Sequence, residues 1–206
     1  MDFISGLLLG FVAGVAPGPL LALVVSQTLT YGVTEGVKVA VAPLITDVPI
    51  VLAALLIGNA LASHPLPLGL LSLAGAGYIS YLAWESFRIT LKDSPSDPMA
   101  KSLTKGILAN FLNPHPYLFW MTVGTPLLLK TWENGPIGAL FWLFSFYSML
   151  VGSKMGIALL TGYSRQFLHG RGYLWLNRCL GLVLLFFAVV LLKDGLSMII
   201  SGLSRG

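Results

Sequence analysis

Charge is scarce in this chain. Only 10% of its 206 residues are Asp, Glu, Lys or Arg, where a soluble domain carries about 25%. With 56% hydrophobic residues and a mean hydropathy of +0.84, the composition is that of an integral membrane protein with no room for a soluble domain beside it. Cysteine is nearly absent. The lone Cys179 excludes an internal disulfide and a two-thiol relay and gives no basis for a soft-metal site; it reads as a packed or lipid-facing residue. Histidine is sparse too. His64, His115 and His169 are far apart, so no metal-ligand cluster is legible, nor a Ser-His-Asp arrangement or a phosphate loop. A membrane enzyme therefore has no support, no cofactor or metal is implied, and nucleic-acid binding has no basis. Met1-Asp2-Phe3 lacks a basic leader and the apolar run that follows outlasts a signal peptide, so no cleavable signal is expected.

What the chain does have is apolar length. Six segments are long enough to span a bilayer as helices: residues 3–30, 38–58, 66–90, 102–130, 136–164 and 172–203. The expected fold is an all-α integral membrane protein, a single transmembrane domain over residues 1–206. A polar, proline-rich linker, 92–101, divides it into halves 1–91 and 102–206. Three helices per half is an odd number, so the halves insert with opposite orientation, as two inverted three-helix repeats. Lys38, Arg88, Lys92, Lys101, Lys105, Arg165, Arg171 and Arg178 lie at or near one set of connections; Lys130 and Arg205 lie on the other side. Eight against two places the first set in the cytoplasm and both termini outside.

Two of the six helices carry a break. Gly14-Val15-Ala16-Pro17-Gly18-Pro19 interrupts the first, because proline lacks the amide hydrogen and clashes with the preceding turn. Asn113-Pro114-His115-Pro116 interrupts the fourth at the corresponding position of the second half. Lipid cannot satisfy a broken backbone, so such a break must be buried in protein or line a cavity. Paired interruptions of this kind point to a transporter's binding site.

Two charges lie deep. Asp47 is nine residues from Lys38, about 14 Å along a helix, and Lys154 is ten residues from Ser164, about 15 Å. They sit at matching depth on equivalent helices, and charges there usually mark a path for ion, proton or substrate. We expect them to interact, directly or through substrate. Pro43 and Pro49 flank Asp47, which suggests a distorted backbone and a roomy pocket. His115 sits within the second break, where it is a candidate for proton coupling alongside Asp47. Glu85 is expected to pair locally with Arg88, three residues on. Lys193-Asp194 is expected to interrupt the last helix. Gly152 with Gly156, and Gly32 with Gly36, read as small-residue packing pairs. Trp84, Trp132 and Trp175 read as interfacial anchors, with Trp120 and Trp142 deeper.

Three stretches make the chain resemble the lysine exporter and homoserine/threonine resistance family of bacterial amino-acid exporters. They are Pro17-Gly18-Pro19; the spaced run of Gly32, Gly36, Ala40, Ala42, Thr46 and Asp47; and Asn113-Pro114. Length, helix count and motif order match across the chain. There are departures: Ala42 and Thr46 stand where that family usually has glycine, and His115 where it usually has lysine, with Pro116 added. The resemblance implies secondary export of amino acids or close relatives from the cytoplasm, driven by the membrane potential or a proton gradient, in a bacterial-type cytoplasmic membrane.

The residues fit that implication. A zwitterionic amino acid needs an anion for its ammonium, which Asp47 supplies, and donors for its carboxylate. Half-helix amides beyond a break supply the donors. Gly18 admits a close approach to the backbone, and Asn113 offers a donor and an acceptor. The candidate substrate site is thus Pro17, Gly18, Pro19, Asp47, Asn113, Pro114 and Lys154. The partners are the substrate, a coupling proton or cation, and the bilayer; exposed small-residue faces allow a homodimer without requiring one. The alternatives are an inorganic-cation exporter, which would want more than one midplane carboxylate, and a non-transport membrane protein, which leaves the matched charges unexplained.

Overall fold

A computed structural model describes residues 2–63, 66–88, 101–133, 135–165 and 171–203. Lys92 and the rest of the linker before Lys101, His64, His169 and Arg205 lie outside the described residues, as do the side chains of Arg165 and Arg171.

The described residues are helical throughout. The first predicted helix is split into α1 (Asp2–Val15) and α2 (Pro19–Tyr31), bent by 64° at the Ala16-Pro17-Gly18 link. Gly32, at φ 103°, is the left-handed joint that turns α2 into α3 (Val33–Ala40). A single turn at Val41 separates α3 from α4 (Ala42–Ser63), which carries Asp47. Pro43 falls in the first turn of α4, where a missing amide costs nothing, and the helix continues through Pro49. The distortion expected around Asp47 therefore lies just ahead of Pro43.

After α5 (Leu66–Arg88), the fourth predicted helix is divided further than expected. It comprises α6 (Ser102–Phe111), α7 (Pro114–Phe119), a π-helical turn over Trp120–Gly124, and α8 (Thr125–Glu133). The break falls at Leu112-Asn113, where the sequence places it. Here Asn113 is extended and its Oδ1 accepts from the His115 amide at 3.1 Å, capping α7, whose first residue is Pro114. The Tyr117 hydroxyl bridges back to the Phe111 carbonyl at 3.0 Å. Two uninterrupted helices, α9 (Pro136–Arg165) and α10 (Arg171–Leu203), complete the chain. Among the described residues four helices are long and apolar enough to cross a membrane, and the bent α1–α2 pair makes a fifth.

Glycine sets the contact between α1 and α9. Gly6, Gly10 and Gly14 recur every fourth residue on one face of α1. A Cβ at these positions would run into Ser145 Oγ, the Phe146 carbonyl oxygen and Ser153 Oγ of α9, respectively. The expected pair Gly152 and Gly156 does not serve this purpose: a Cβ at either would meet nothing within 4 Å. The glycine face of this contact belongs to α1, and α9 presents backbone and hydroxyls to it. Gly32 forms the joint between α2 and α3, and Gly36 is packed against Thr28 and Ala158. Helices α5 and α10 close on each other through Gly69 and Gly195, and Ser72 Oγ donates to the Leu191 carbonyl at 2.7 Å.

Two further expectations are corrected. Lys193 and Asp194 do not interrupt the last helix; α10 runs through them. Glu85 pairs with Lys105 of α6, and the Arg88 guanidinium instead lies 4.8 Å from the Trp84 ring centre. Lys105 is buried and needs a counter-charge, whereas Arg88 at its helix end can reach solvent. Trp84, Trp132 and Trp175 are exposed, as anchors would be, and Trp120 and Trp142 are buried. Cys179 is exposed.

Among the described residues, most buried apolar side chains fall into two clusters. One joins Leu23, Val39, Ile79, Leu82, Leu184 and Leu191. The other is built on Ile50, Trp120, Trp142, Phe146 and Leu150.

Candidate functional site

Between the two clusters lies a cavity of about 390 Å³. Pro17, Gly18 and Pro19 from the first break line it, as do Asn113 and His115 from the second, Asp47 from α4 and Lys154 from α9. Pro114 is buried at the start of α7 without lining the space.

The first break creates two unsatisfied ends. Pro17 has no amide hydrogen, so the Ala13 carbonyl, four residues earlier, loses its helical donor. Lys154 fills that role: its Nζ donates to Ala13 O at 3.2 Å and Gly14 O at 2.9 Å. The lysine is 4% exposed, and its cation also lies favourably at a helix C-terminus. On the far side of the break, Gly18 is extended and gives α2 no side-chain cap. The first-turn amides of Leu20 and Leu21 therefore have no intrahelical acceptor, and both residues line the cavity. A Cβ on Gly18 would meet nothing within 4 Å, so the backbone is approachable there. The second break differs, since Asn113 caps its own helix.

Asp47, also 4% exposed, is held by neutral donors from three other parts of the chain. Asn110 Nδ2 donates to Oδ1 at 3.2 Å, and Trp120 Nε1 and Tyr147 OH donate to Oδ2 at 3.3 Å each. Thr46 Oγ1 is 3.5 Å from Oδ1 and itself accepts from Asn110 at 2.6 Å. The bonds to Asp47 are longer than the usual 2.9–3.0 Å, so they orient the carboxylate without saturating it.

Asp47 and Lys154 thus share a cavity but form no ion pair; each is held by uncharged groups instead. Each reaches across the chain. Asp47 meets Asn110 just before the second break, and Lys154 meets Ala13 and Gly14 just before the first. His115 Nε2 is 3.9 Å from Asp194 Oδ2 on α10, a partner supplied by the residue first expected to break that helix.

Asn110, Trp120 and Tyr147 belong to the site and were not singled out from the sequence. Asn110 stands three residues before Asn113, which was the available signal. Trp120 begins the π-helical turn, a register shift that often accompanies functional sites and that no apolar periodicity reveals. Tyr147 lies in an apolar run with nothing to distinguish it.

Away from the cavity, polar bonds between helices gather toward the ends nearest Tyr31, Arg88 and Ser102. Ser102 Oγ donates to Gln27 Oε1 at 2.8 Å, Lys105 pairs with Glu85, and Thr30 Oγ1 is 3.1 Å from Asn177 Oδ1. These contacts join α2, α5, α6 and α10.

The family model of the LysE type translocator matches residues 11–195, a range that includes both breaks, Asp47 and Lys154. No curated protein and no solved structure matches the chain.

Proposed function

The chain belongs to the LysE type translocator family and is a multi-pass membrane exporter; from that premise we propose that it is a secondary exporter of amino acids or closely related metabolites. The observation that carries this reading is the reciprocal reach of two buried charges across one cavity. A carboxylate from the first half holds the segment before the second break, and an ammonium from the second half holds the segment before the first.

That reciprocity is what two inverted repeats would produce, with α1–α2, α3–α4 and α5 answering to α6–α8, α9 and α10. The ammonium of a zwitterion goes to Asp47. Its carboxylate goes to the open amides at the start of α2 and to the free hydrogen of Lys154, which has given two bonds to carbonyls. Transport proceeds by alternating access around this site. The polar bonds among Gln27, Glu85, Ser102 and Lys105 close the cytoplasmic side and must part when the substrate enters. The membrane is a bacterial-type cytoplasmic membrane, with both chain ends outside. A proton or cation couples the cycle, with Asp47 and the His115–Asp194 contact as candidates to carry it.

Efflux from proteoliposomes loaded with labelled amino acids tests the reading, with the pH gradient and membrane potential varied separately. Efflux that Asp47→Asn abolishes supports it. Full efflux and unchanged coupling in that variant refute the mechanism.

A further inference from the structure

We propose that the substrate is a neutral amino acid with a large apolar side chain, favoured over cationic and small relatives by the charge count and the largely apolar wall of the cavity. This rests on the export reading above and specifies what that site accepts.

The charge count comes first. The carboxylate and ammonium lining the cavity are Asp47 and Lys154, and a zwitterion uses both. A lysine-like substrate brings a second cation into a space whose one lining carboxylate is already engaged. Asp194 lies outside the lining and is 3.9 Å from His115, so an extra cation drawing on it would have to displace that contact. An unpaired charge in such a site is strongly disfavoured.

Hydrogen-bonding capacity comes next. The Asn110 amide nitrogen is spent on Thr46 and Asp47, and the Asn113 carbonyl oxygen is spent capping α7. The Asn110 carbonyl oxygen and the Asn113 amide nitrogen remain open to the polar head of the zwitterion. Apart from His115 and the open amides at the start of α2, the remaining wall is apolar. Phe119 and Phe146 are stacked, with ring centres 5.5 Å apart, and Leu150 continues that side. Helix α10 adds Phe187, Val190 and Leu191. A side chain the size of leucine's or phenylalanine's covers this surface, whereas alanine's leaves it facing water or a void.

The test is efflux from proteoliposomes of the full chain, each loaded with one labelled amino acid: leucine, phenylalanine, alanine, threonine or lysine. Leucine and phenylalanine should leave about 10-fold faster than the other three, or more, the discrimination an apolar pocket achieves over a lost methylene or two. Val190→Thr, nearly the same in shape, should narrow the leucine-to-threonine ratio several-fold while efflux persists. Equal rates, or lysine or threonine leading, overturn this assignment and leave export standing. No efflux of any amino acid from correctly folded protein overturns export and the assignment with it.

Discussion

Replacing Gly10 by alanine adds one methyl group where α1 has no room. The new Cβ would run into the Phe146 carbonyl oxygen, lie 2.9 Å from the carbonyl carbon and sit 3.0 Å from Met149 Cβ. The obstruction is backbone, so no rotamer relieves it, and α1 must retreat from α9 by more than half an ångström to restore ordinary contact. Overpacking of this kind costs about 1–3 kcal/mol. The retreat also matters for function. Lys154 reaches Ala13 and Gly14 at 3.2 and 2.9 Å across the same interface. A comparable displacement there would stretch both bonds past useful length. Thermal unfolding of the purified protein, read beside efflux, checks both consequences. Gly152→Ala is the control, because a Cβ there meets nothing within 4 Å; it should change stability by less than about 0.5 kcal/mol. Gly10→Ala as stable as Gly152→Ala would refute the glycine-set contact. Gly10→Ala destabilised but with efflux intact would refute its link to Lys154.

Other perturbations act on single contacts. Pro17→Ala returns a helical donor to the Ala13 carbonyl, so α1 should extend, Lys154 should lose a partner, and efflux should fall sharply without loss of folded protein in thermal melts. Asn113→Ala removes the α7 cap and should cost about 1 kcal/mol, while Asn113→Ser, which can still cap, recovers most of it. Glu85→Gln strips buried Lys105 of its counter-charge and should destabilise by about 1–3 kcal/mol. The double change Glu85→Leu with Lys105→Met should recover that loss in the same denaturation measurement.

The membrane class and the two broken helices were legible in the sequence for one reason. Proline's missing amide and lipid's inability to replace it are local facts. So was the nearness of Asp47 and Lys154 to one cavity, because a constant helical rise puts both well inside their segments. Partner choice was not legible. Glu85 lies three residues from Arg88 yet pairs with Lys105, because burial of the lysine in the folded protein decides where the carboxylate is needed. The packing glycines were misplaced for a similar reason. Two helices carry small residues at the same spacing, and only the interface tells Gly6, Gly10 and Gly14 from Gly152 and Gly156. Trp120 and Tyr147 were missed because their function is a single polar atom on an otherwise apolar ring, aimed by a π-helical turn and by helix packing.

In the proposed mechanism Asp47 and Lys154 take opposite ends of one zwitterion rather than forming a static pair, and exchanging them tests this most directly. The measurement is efflux of leucine by Asp47→Asn, by Lys154→Gln, and by the exchange Asp47→Lys with Lys154→Asp. Each single variant should lose about 10- to 100-fold, as expected when a charge-assisted contact to the substrate is removed. The exchange should not restore efflux, because it sets a carboxylate against the Ala13 and Gly14 carbonyls and an ammonium against the donors of Asn110, Trp120 and Tyr147. Restored efflux in the exchanged protein would contradict the account.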